Sequence, residues 1–310
     1  MEKIPLIVVA GPTASGKTRL AVEIAKRYGG EVVSADSMQI YKYMNIGTAK
    51  PTEQEMDGVA HHMLDIVYPD EPFSVAQYAE SARKKIADVH ARGRIPVLAG
   101  GTGLYIDHVV QGVRLAEMET DFSLRERLNN EAREKGNQFL YDRLLQLDPE
   151  AAASIHPNNI RRVIRALEVY EATGQTFTEQ VKHSKEKESP YNALMFMPDW
   201  DRAMLYERID LRVDSMMKEG LFEEFCTLVQ MGYGKKLNSM QAIGYKELYD
   251  YYYGLCAMGE AVNLIKRHSR RYAKRQLTWF RRYPELVHLD AAGDITAQCF
   301  HKIDTWLKNV

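Results

Sequence analysis

Apolar residues in the first hundred positions fall in short unbroken runs, separated by stretches with helical spacing. Leu6-Ile7-Val8-Val9-Ala10 is continuous and ends at Gly11, which predicts a buried parallel strand in place of a helix. Arg19 to Tyr28 then carries Leu20, Ile24 and Ala25 at the spacing of one helical face. A second strand is predicted over Glu31 to Ala35, after the Gly29-Gly30 stop, and a third over Ile95 to Ala99, ahead of Gly100-Gly101. Between them, Ser74-Val75-Ala76-Gln77 reads as a capping box opening a helix that reaches Arg92. Strands alternating with helices predict an α/β fold on a doubly wound parallel sheet.

From about Gln111 the strand pattern stops. Ser123-Leu124-Arg125-Glu126 reads as the cap of a charged helix, and helical stretches continue to Thr173. Residues 112–190 are therefore expected to form a small all-helical insert domain, with the polar segment Lys182 to Ser189, closed by Pro190, as the hinge back. The core domain is expected over residues 1–111 and 191–310. There a short apolar run, Ala193 to Met197, precedes helices over Arg202 to Met231, Ser239 to Tyr253 and Glu260 to Arg282.

Composition changes this picture little: 45% hydrophobic and 27% charged residues are ordinary for a globular chain. A net charge of −1 excludes an overall basic coat, so any basic surface has to be local. Cys226, Cys256 and Cys299 stand alone, without the spacing of a zinc site or a disulfide framework, which fits a reducing compartment. With no export or anchoring signal in the opening residues, the expectation is a cytoplasmic monomer without a membrane partner.

Candidate chemistry starts at Gly11-Pro-Thr13-Ala14-Ser15-Gly16-Lys17-Thr18, which satisfies G-x-x-x-x-G-K-[ST] between a predicted strand and a predicted helix. Such a loop turns its amides onto phosphate oxygens, Lys17 adds a point charge, and the Thr18 hydroxyl can ligate magnesium. A diphosphate on any organic group fits the same cradle. Asp36, at the end of the second strand, can be a general base, a magnesium partner or a cap. Gln39 suits a base edge or a turn. Gly100-Gly101-Thr102-Gly103 lacks the third Gly of a dinucleotide fingerprint and puts Thr102 at the same rim, or makes a tight turn only. Arg208 and Arg212, four apart on one helix with no acid three or four positions from either, suit a bound anion or a solvated face.

Two segments are basic. Arg161, Arg162 and Arg165 share a helix in the insert, and Lys266 to Arg282 holds eight Lys/Arg and no acid, interleaved with aromatic residues. Both suit an RNA backbone with unstacked bases, or simple solvation. His61-His62 should point apart on an extended segment and form local hydrogen bonds in place of a chelate.

Taken in order, GPTASGKT, SADSMQIYKYMNIGTAKP, VLAGGTGLY, IHPNNIRRVIRALEV, SMQAIGYKE and AKRQLTWFRR resemble the bacterial tRNA dimethylallyltransferases, or tRNA isopentenyltransferases. The resemblance spans nearly the whole chain. It implies a P-loop NTPase-like core and transfer of a dimethylallyl group from dimethylallyl diphosphate to the exocyclic amine of the adenosine 3′ to the tRNA anticodon. It further implies Mg2+ at Thr18, a diphosphate cradle of Gly11, Thr13, Ala14, Ser15, Gly16, Lys17 and Thr18, Asp36 as base, and Thr102 orienting the reactants. Arg212, with Arg208, would offset charge on the leaving group. Contacts to the anticodon stem-loop are implied for Ser37, Met38 and Gln39, for Arg161, Arg162 and Arg165, for Gln241, Gly244 and Lys246, and for Lys274, Arg275, Gln276, Trp279 and Arg281. On the residues alone, a P-loop small-molecule kinase, an isopentenyltransferase acting on free adenine nucleotides and a nucleotide-gated RNA-binding protein stay open.

Overall fold

The computed structural model describes residues 3–111, 122–185 and 188–309, in two units: Met1–Val110 with Pro190–Val310, and Gln111–Ser189. The larger unit opens with β1 (Ile4–Ala10), α1 (Lys17–Tyr28), β2 (Glu31–Ser34), α2 (Glu53–Met56) and β3 (His61–His62), followed by α3 (Val75–Ala91), β4 (Pro96–Gly100) and α4 (Gly103–Val110). Gly29 ends α1 in the left-handed region, and the Ser74-Gln77 capping box opens α3 as predicted.

β1 is apolar throughout because both its faces are covered. Leu6, Val8 and Ala10 pack with Tyr78, Ile86, Ile106 and Val109 of α3 and α4, while Ile7 and Val9 pack with Leu20 and Ile24 of α1. Burying five consecutive residues in this way excludes the period-two signal of a half-exposed strand.

Among its described residues the smaller unit has helices and no strand: α5 (Phe122–Lys135), α6 (Asn137–Leu147), α7 (Pro149–Ser154), α8 (Ile160–Thr173) and α9 (Phe177–Lys185). Leu128, Leu140, Leu144, Val163 and Leu167 form its core. Buried Glu168 accepts from Arg125 Nε at 2.5 Å and Nη2 at 2.9 Å. Ser123 lies inside α5 and so is not its cap. Of the expected hinge, Lys182 to Lys185 belong to α9; residues 186–187 lie outside the described residues, and the larger unit resumes at Pro190.

The larger unit resumes with β5 (Tyr191–Asp199), α10 (Arg202–Lys218), α11 (Leu221–Gln230), a 3-10 turn (Ser239–Gln241), α12 (Tyr245–Tyr252), α13 (Met258–Phe280), β6 (Val287–Asp290) and α14 (Ile295–Trp306). The helix expected over Arg202 to Met231 is broken at Gly220, whose φ of 100° is a conformation that favours glycine. Gly244, at φ 104°, likewise splits the stretch Ser239 to Tyr253. Two short strands went unpredicted: β3 is a His pair, and β6 reads Val-His-Leu-Asp.

All pairings in the sheet are parallel, in the order β3-β2-β4-β1-β5-β6. Ala10 is level with Gly100, and Ser34 with Ala99, so the loops leaving β1, β2 and β4 emerge at one rim. Ligands in open α/β sheets bind outside these carboxyl ends. Among the described residues, no helix is long and apolar enough to cross a membrane.

Candidate active site

The loop from Gly11 to Gly16 bends through positive φ at Gly11 (144°), Ala14 (62°) and Gly16 (88°). Gly16 precedes α1 and supplies no side-chain cap, so the first amides of that helix are left for an anion. Lys17 Nζ donates to the Pro12 carbonyl at 3.2 Å. Burial first, and Arg212 second, pull the Lys17 ammonium down to about 8, with Asp36 opposing both.

The back of this loop is held by β5–α10. Trp200 Nε1 donates to Ser15 O and Arg208 Nε to Ala14 O, each at 2.9 Å, and the Arg208 guanidinium lies 4.2 Å over the Trp200 ring. Arg208 thus braces the phosphate loop. Arg212, one turn on, lines the cavity described below and makes only a long bond to Ala49 O at 3.5 Å. Its pKa is lowered, chiefly by burial, while Glu55 and Asp36 act to keep it charged. The two arginines predicted to act together are therefore placed differently, Arg212 on the cavity and Arg208 behind the phosphate loop.

Thr102 bridges the other two loops. Its N–H donates to Ala35 O at 3.1 Å, and its hydroxyl accepts from Ser37 N at 3.0 Å. Asp36 Oδ1 accepts from Met38 N at 2.9 Å. Among the described residues, neither Asp36 Oδ2 nor Thr18 Oγ1 has a hydrogen-bond partner. Tyr272, which the sequence reading missed within the basic tract, lies beside Thr102; burial pushes its phenol up to about 12.

These groups surround a cavity of about 280 Å3 whose lining combines polar and apolar side chains. Thr13, Lys17, Thr18, Asp36 and Arg212 supply polar lining suited to an anion and its counter-charges, while Ile209, Val213, Met216, Ile243 and Ile265 suit an apolar group. Ser37, Met38, Gln241, Gly244, Lys246, Tyr272 and Arg275 also line it, as do Gln39 and Gln276. Gly47 to Ala49 form part of the wall and are held from outside by Glu224. That carboxylate accepts from the N–H groups of Asn45, Ile46 and Gly47 at 2.8, 2.8 and 3.1 Å, and from the Tyr245 hydroxyl at 2.6 Å. A Cβ on Gly47 would sit 2.5 Å from the Tyr245 ring, so the wall has to be glycine there.

Four residues assigned to tRNA by sequence make bonds or close packing within the protein. Gln39 accepts from Ser34 Oγ at 3.0 Å and donates to the carbonyls of Thr48 and Ala49 at 3.3 and 3.0 Å. Gln276 is buried, bonded to Thr13 N and Gly101 O. Trp279 packs onto Gly103 so closely that no side chain fits at that position. Gln241 donates to Lys235 O at the cavity rim.

The basic tract of α13 and the residues just after it is partly neutralised: Lys266, Arg270 and Arg282 pair with Asp214, Asp210 and Asp107. Arg267, Arg271, Lys274, Arg275 and Arg281 are exposed and, among the described residues, without an acidic partner. In the helical unit Arg161 and Arg162 are likewise exposed and unpaired, whereas Arg165 pairs with Glu168 at 3.4 Å. Of the neighbouring histidines, His61 bonds locally to Val59 as expected, whereas His62 reaches Glu31 on β2, 31 positions away.

A family profile described as IPP transferase matches residues 39–283. Over 282 residues the chain is 51% identical to a tRNA dimethylallyltransferase of Caldanaerobacter subterraneus, covering 90% of each chain. Identity to that of Halalkalibacterium halodurans is 50% over 288 residues, covering 93% of this chain and 91% of the relative. The crystal structure of a full-length tRNA isopentenylpyrophosphate transferase from Bacillus halodurans matches with a TM-score of 0.73 at 45% identity, covering 99% of this chain and 96% of that one. A eukaryotic dimethylallyltransferase acting on tRNA matches with a TM-score of 0.81 at 30% identity, covering 93% of this chain and 74% of that one.

Proposed function

The chain belongs to the IPP transferase family, and on that premise we propose that it transfers a dimethylallyl group from dimethylallyl diphosphate to an adenosine of tRNA. The acceptor is the exocyclic amine of the adenosine 3′ to the anticodon, and pyrophosphate is released. The observation that carries this reading is the cavity itself, in which an anion cradle, a carboxylate and an apolar wall meet.

The bond from the allylic carbon to the diphosphate oxygen breaks, its electron pair leaving with pyrophosphate, as the amine nitrogen bonds to that carbon. One amine proton passes to Asp36, whose Oδ2 is unbonded and whose Oδ1 is anchored on Met38 N. Thr102, fixed through Ala35 and Ser37, orients the amine. Negative charge grows on the leaving oxygens, so Lys17, Arg212 and the open amides after Gly16 supply the largest stabilisation. Arg208 serves this indirectly by holding the Ala14 carbonyl.

The hydroxyl of Thr18 is a hard oxygen donor on this cavity beside the phosphate loop, which suits Mg2+ held by few protein ligands and by diphosphate oxygens. Bound there, the cation would offset charge on the diphosphate. Extruding the adenosine costs a few kcal/mol. Backbone contacts from Arg271, Lys274, Arg275 and Arg281, and from Arg161 and Arg162, offset that cost. The enzyme is taken to act as a cytoplasmic monomer on the anticodon stem-loop.

Incubation with labelled dimethylallyl diphosphate, magnesium and unmodified tRNA tests the reading, and label is expected on tRNA. Label confined to free AMP, or phosphate moving from ATP to a metabolite, overturns it.

A further inference from the structure

A second chamber, of about 30 Å3, shares Lys17, Thr18, Asp36 and Gln39 with the reaction cavity and adds Ser34 and His61. Its remaining walls include Ala21, Val32 and Ala99. A water needs roughly 10–15 Å3 of such space and two to four polar partners, so both the size and the lining suit water.

Most polar groups around the chamber are already engaged. Lys17 Nζ donates one of its three hydrogens to Pro12 O and can accept none, Ser34 Oγ donates to Gln39, and the Gln39 amide nitrogen donates to Thr48 and Ala49. Three atoms are not: Thr18 Oγ1, Asp36 Oδ2 and His61 Nε2.

The protonation of His61 follows from its neighbours. Its Nδ1 is 2.9 Å from the Val59 carbonyl oxygen, and since a carbonyl only accepts, Nδ1 carries the hydrogen. Burial, and His62 to a lesser degree, favour the neutral ring, while the bond to Val59 opposes them. Nε2 is then a lone-pair acceptor, buried and unbonded among the described residues. His62 cannot take its place, being bonded through Nε2 to Glu31 at 2.6 Å.

A water whose lone pair is given to a metal ion has only hydrogens to offer, so it is satisfied by acceptors and not by donors. We propose that His61 is a positioning residue for the cation, its Nε2 accepting a hydrogen bond from a water ligand of a Mg2+ held at Thr18. This rests on the transfer reading for the metal and its diphosphate partner, and it adds a residue from β3 to a site otherwise built from the loops after β1, β2 and β4. Ligands of this outer kind typically contribute about 10–100-fold to metal affinity.

The test measures the affinity of the protein for Mn2+–pyrophosphate by electron paramagnetic resonance, with tRNA absent. His61→Asn can keep the bond to Val59 but loses the acceptor, whereas His61→Gln keeps an acceptor near the Nε2 position. We expect His61→Asn to weaken affinity by about 10–100-fold and His61→Gln to stay within about threefold of the parent, with thermal melts reporting that each folds. Equal affinity in all three proteins overturns the proposal, as does equal loss in both variants. Failure of the parent enzyme to label tRNA, with Mn2+–pyrophosphate still bound, would instead overturn the transfer reading.

Discussion

The side-chain nitrogen of Gln276 donates to the Gly101 carbonyl at 2.9 Å, and its oxygen accepts from Thr13 N at 3.1 Å, so one amide joins the phosphate loop to the loop after β4. Gln276→Ala leaves two buried backbone groups unbonded, each worth about 1–3 kcal/mol. We expect a matching loss of stability in urea melts, together with a higher KM for dimethylallyl diphosphate and unchanged tRNA affinity. Unchanged stability with weakened tRNA binding would return Gln276 to the RNA surface.

Asp36→Asn keeps an oxygen for Met38 N and removes the base. Loss of a positioned proton acceptor slows chemistry by roughly 10^2–10^4-fold. The expected result is a drop of that size in single-turnover rate with both KM values little changed. A rise in KM for the diphosphate equal to the loss in rate would instead assign Asp36 to ground-state binding.

Part of this site could be read from sequence because its spacing is local. The stretch Gly11 to Thr18 is contiguous, and Asp36 and Thr102 stand directly after apolar runs, so strand ends predict their rim. Gln276, Gln39 and Glu224 could not be read in this way. Gln276 meets Thr13 across 263 positions, and Glu224 meets Gly47 across 177, pairings that no periodicity encodes. Glu224 looks like any acid in the first turn of a helix until Gly220 re-aims α11. β3 and β6 escaped detection because four or fewer residues containing His or Asp give no apolar run.

Arg208 and Arg212 should separate under mutation. Arg212→Ala removes a charge from the cavity and is expected to cost about 10^2–10^3-fold in turnover, the loss typical of a group that stabilises developing charge. Arg208→Ala releases the Ala14 carbonyl and the Trp200 ring. It should chiefly weaken pyrophosphate binding and lower the melting temperature. Equal losses of turnover in the two variants would contradict this division.

On α13, Arg271→Ala and Lys274→Ala should each flatten the salt dependence of tRNA binding by about 0.7–0.9 in slope. Arg270 is already paired with Asp210, so Arg270→Ala should lower stability and leave that slope unchanged. Titrations of tRNA at several salt concentrations distinguish the two patterns. A slope that moves only with Arg270 would put the RNA on the opposite face of the helix.

Lys17 predicts a pH dependence with opposite signs for stability and for binding. Burial and Arg212 hold its folded pKa at about 8, against 10.5 for the ordinary side chain. Between those values the unfolded chain binds more protons, so Lys17 makes stability rise with pH across that window. Its destabilising effect is complete below the folded pKa and gone above the unfolded one. A diphosphate beside the ammonium restores the charge, so binding takes up a proton once pH exceeds about 8, and affinity falls by up to about tenfold per pH unit. Calorimetry at a pH just above that value, in buffers of different ionisation enthalpy, measures the uptake. Lys17→Arg keeps a charge that does not titrate in this range, so it isolates the share belonging to pyrophosphate itself. Proton uptake equal in the two proteins would mean that Lys17 is already fully charged before the diphosphate arrives.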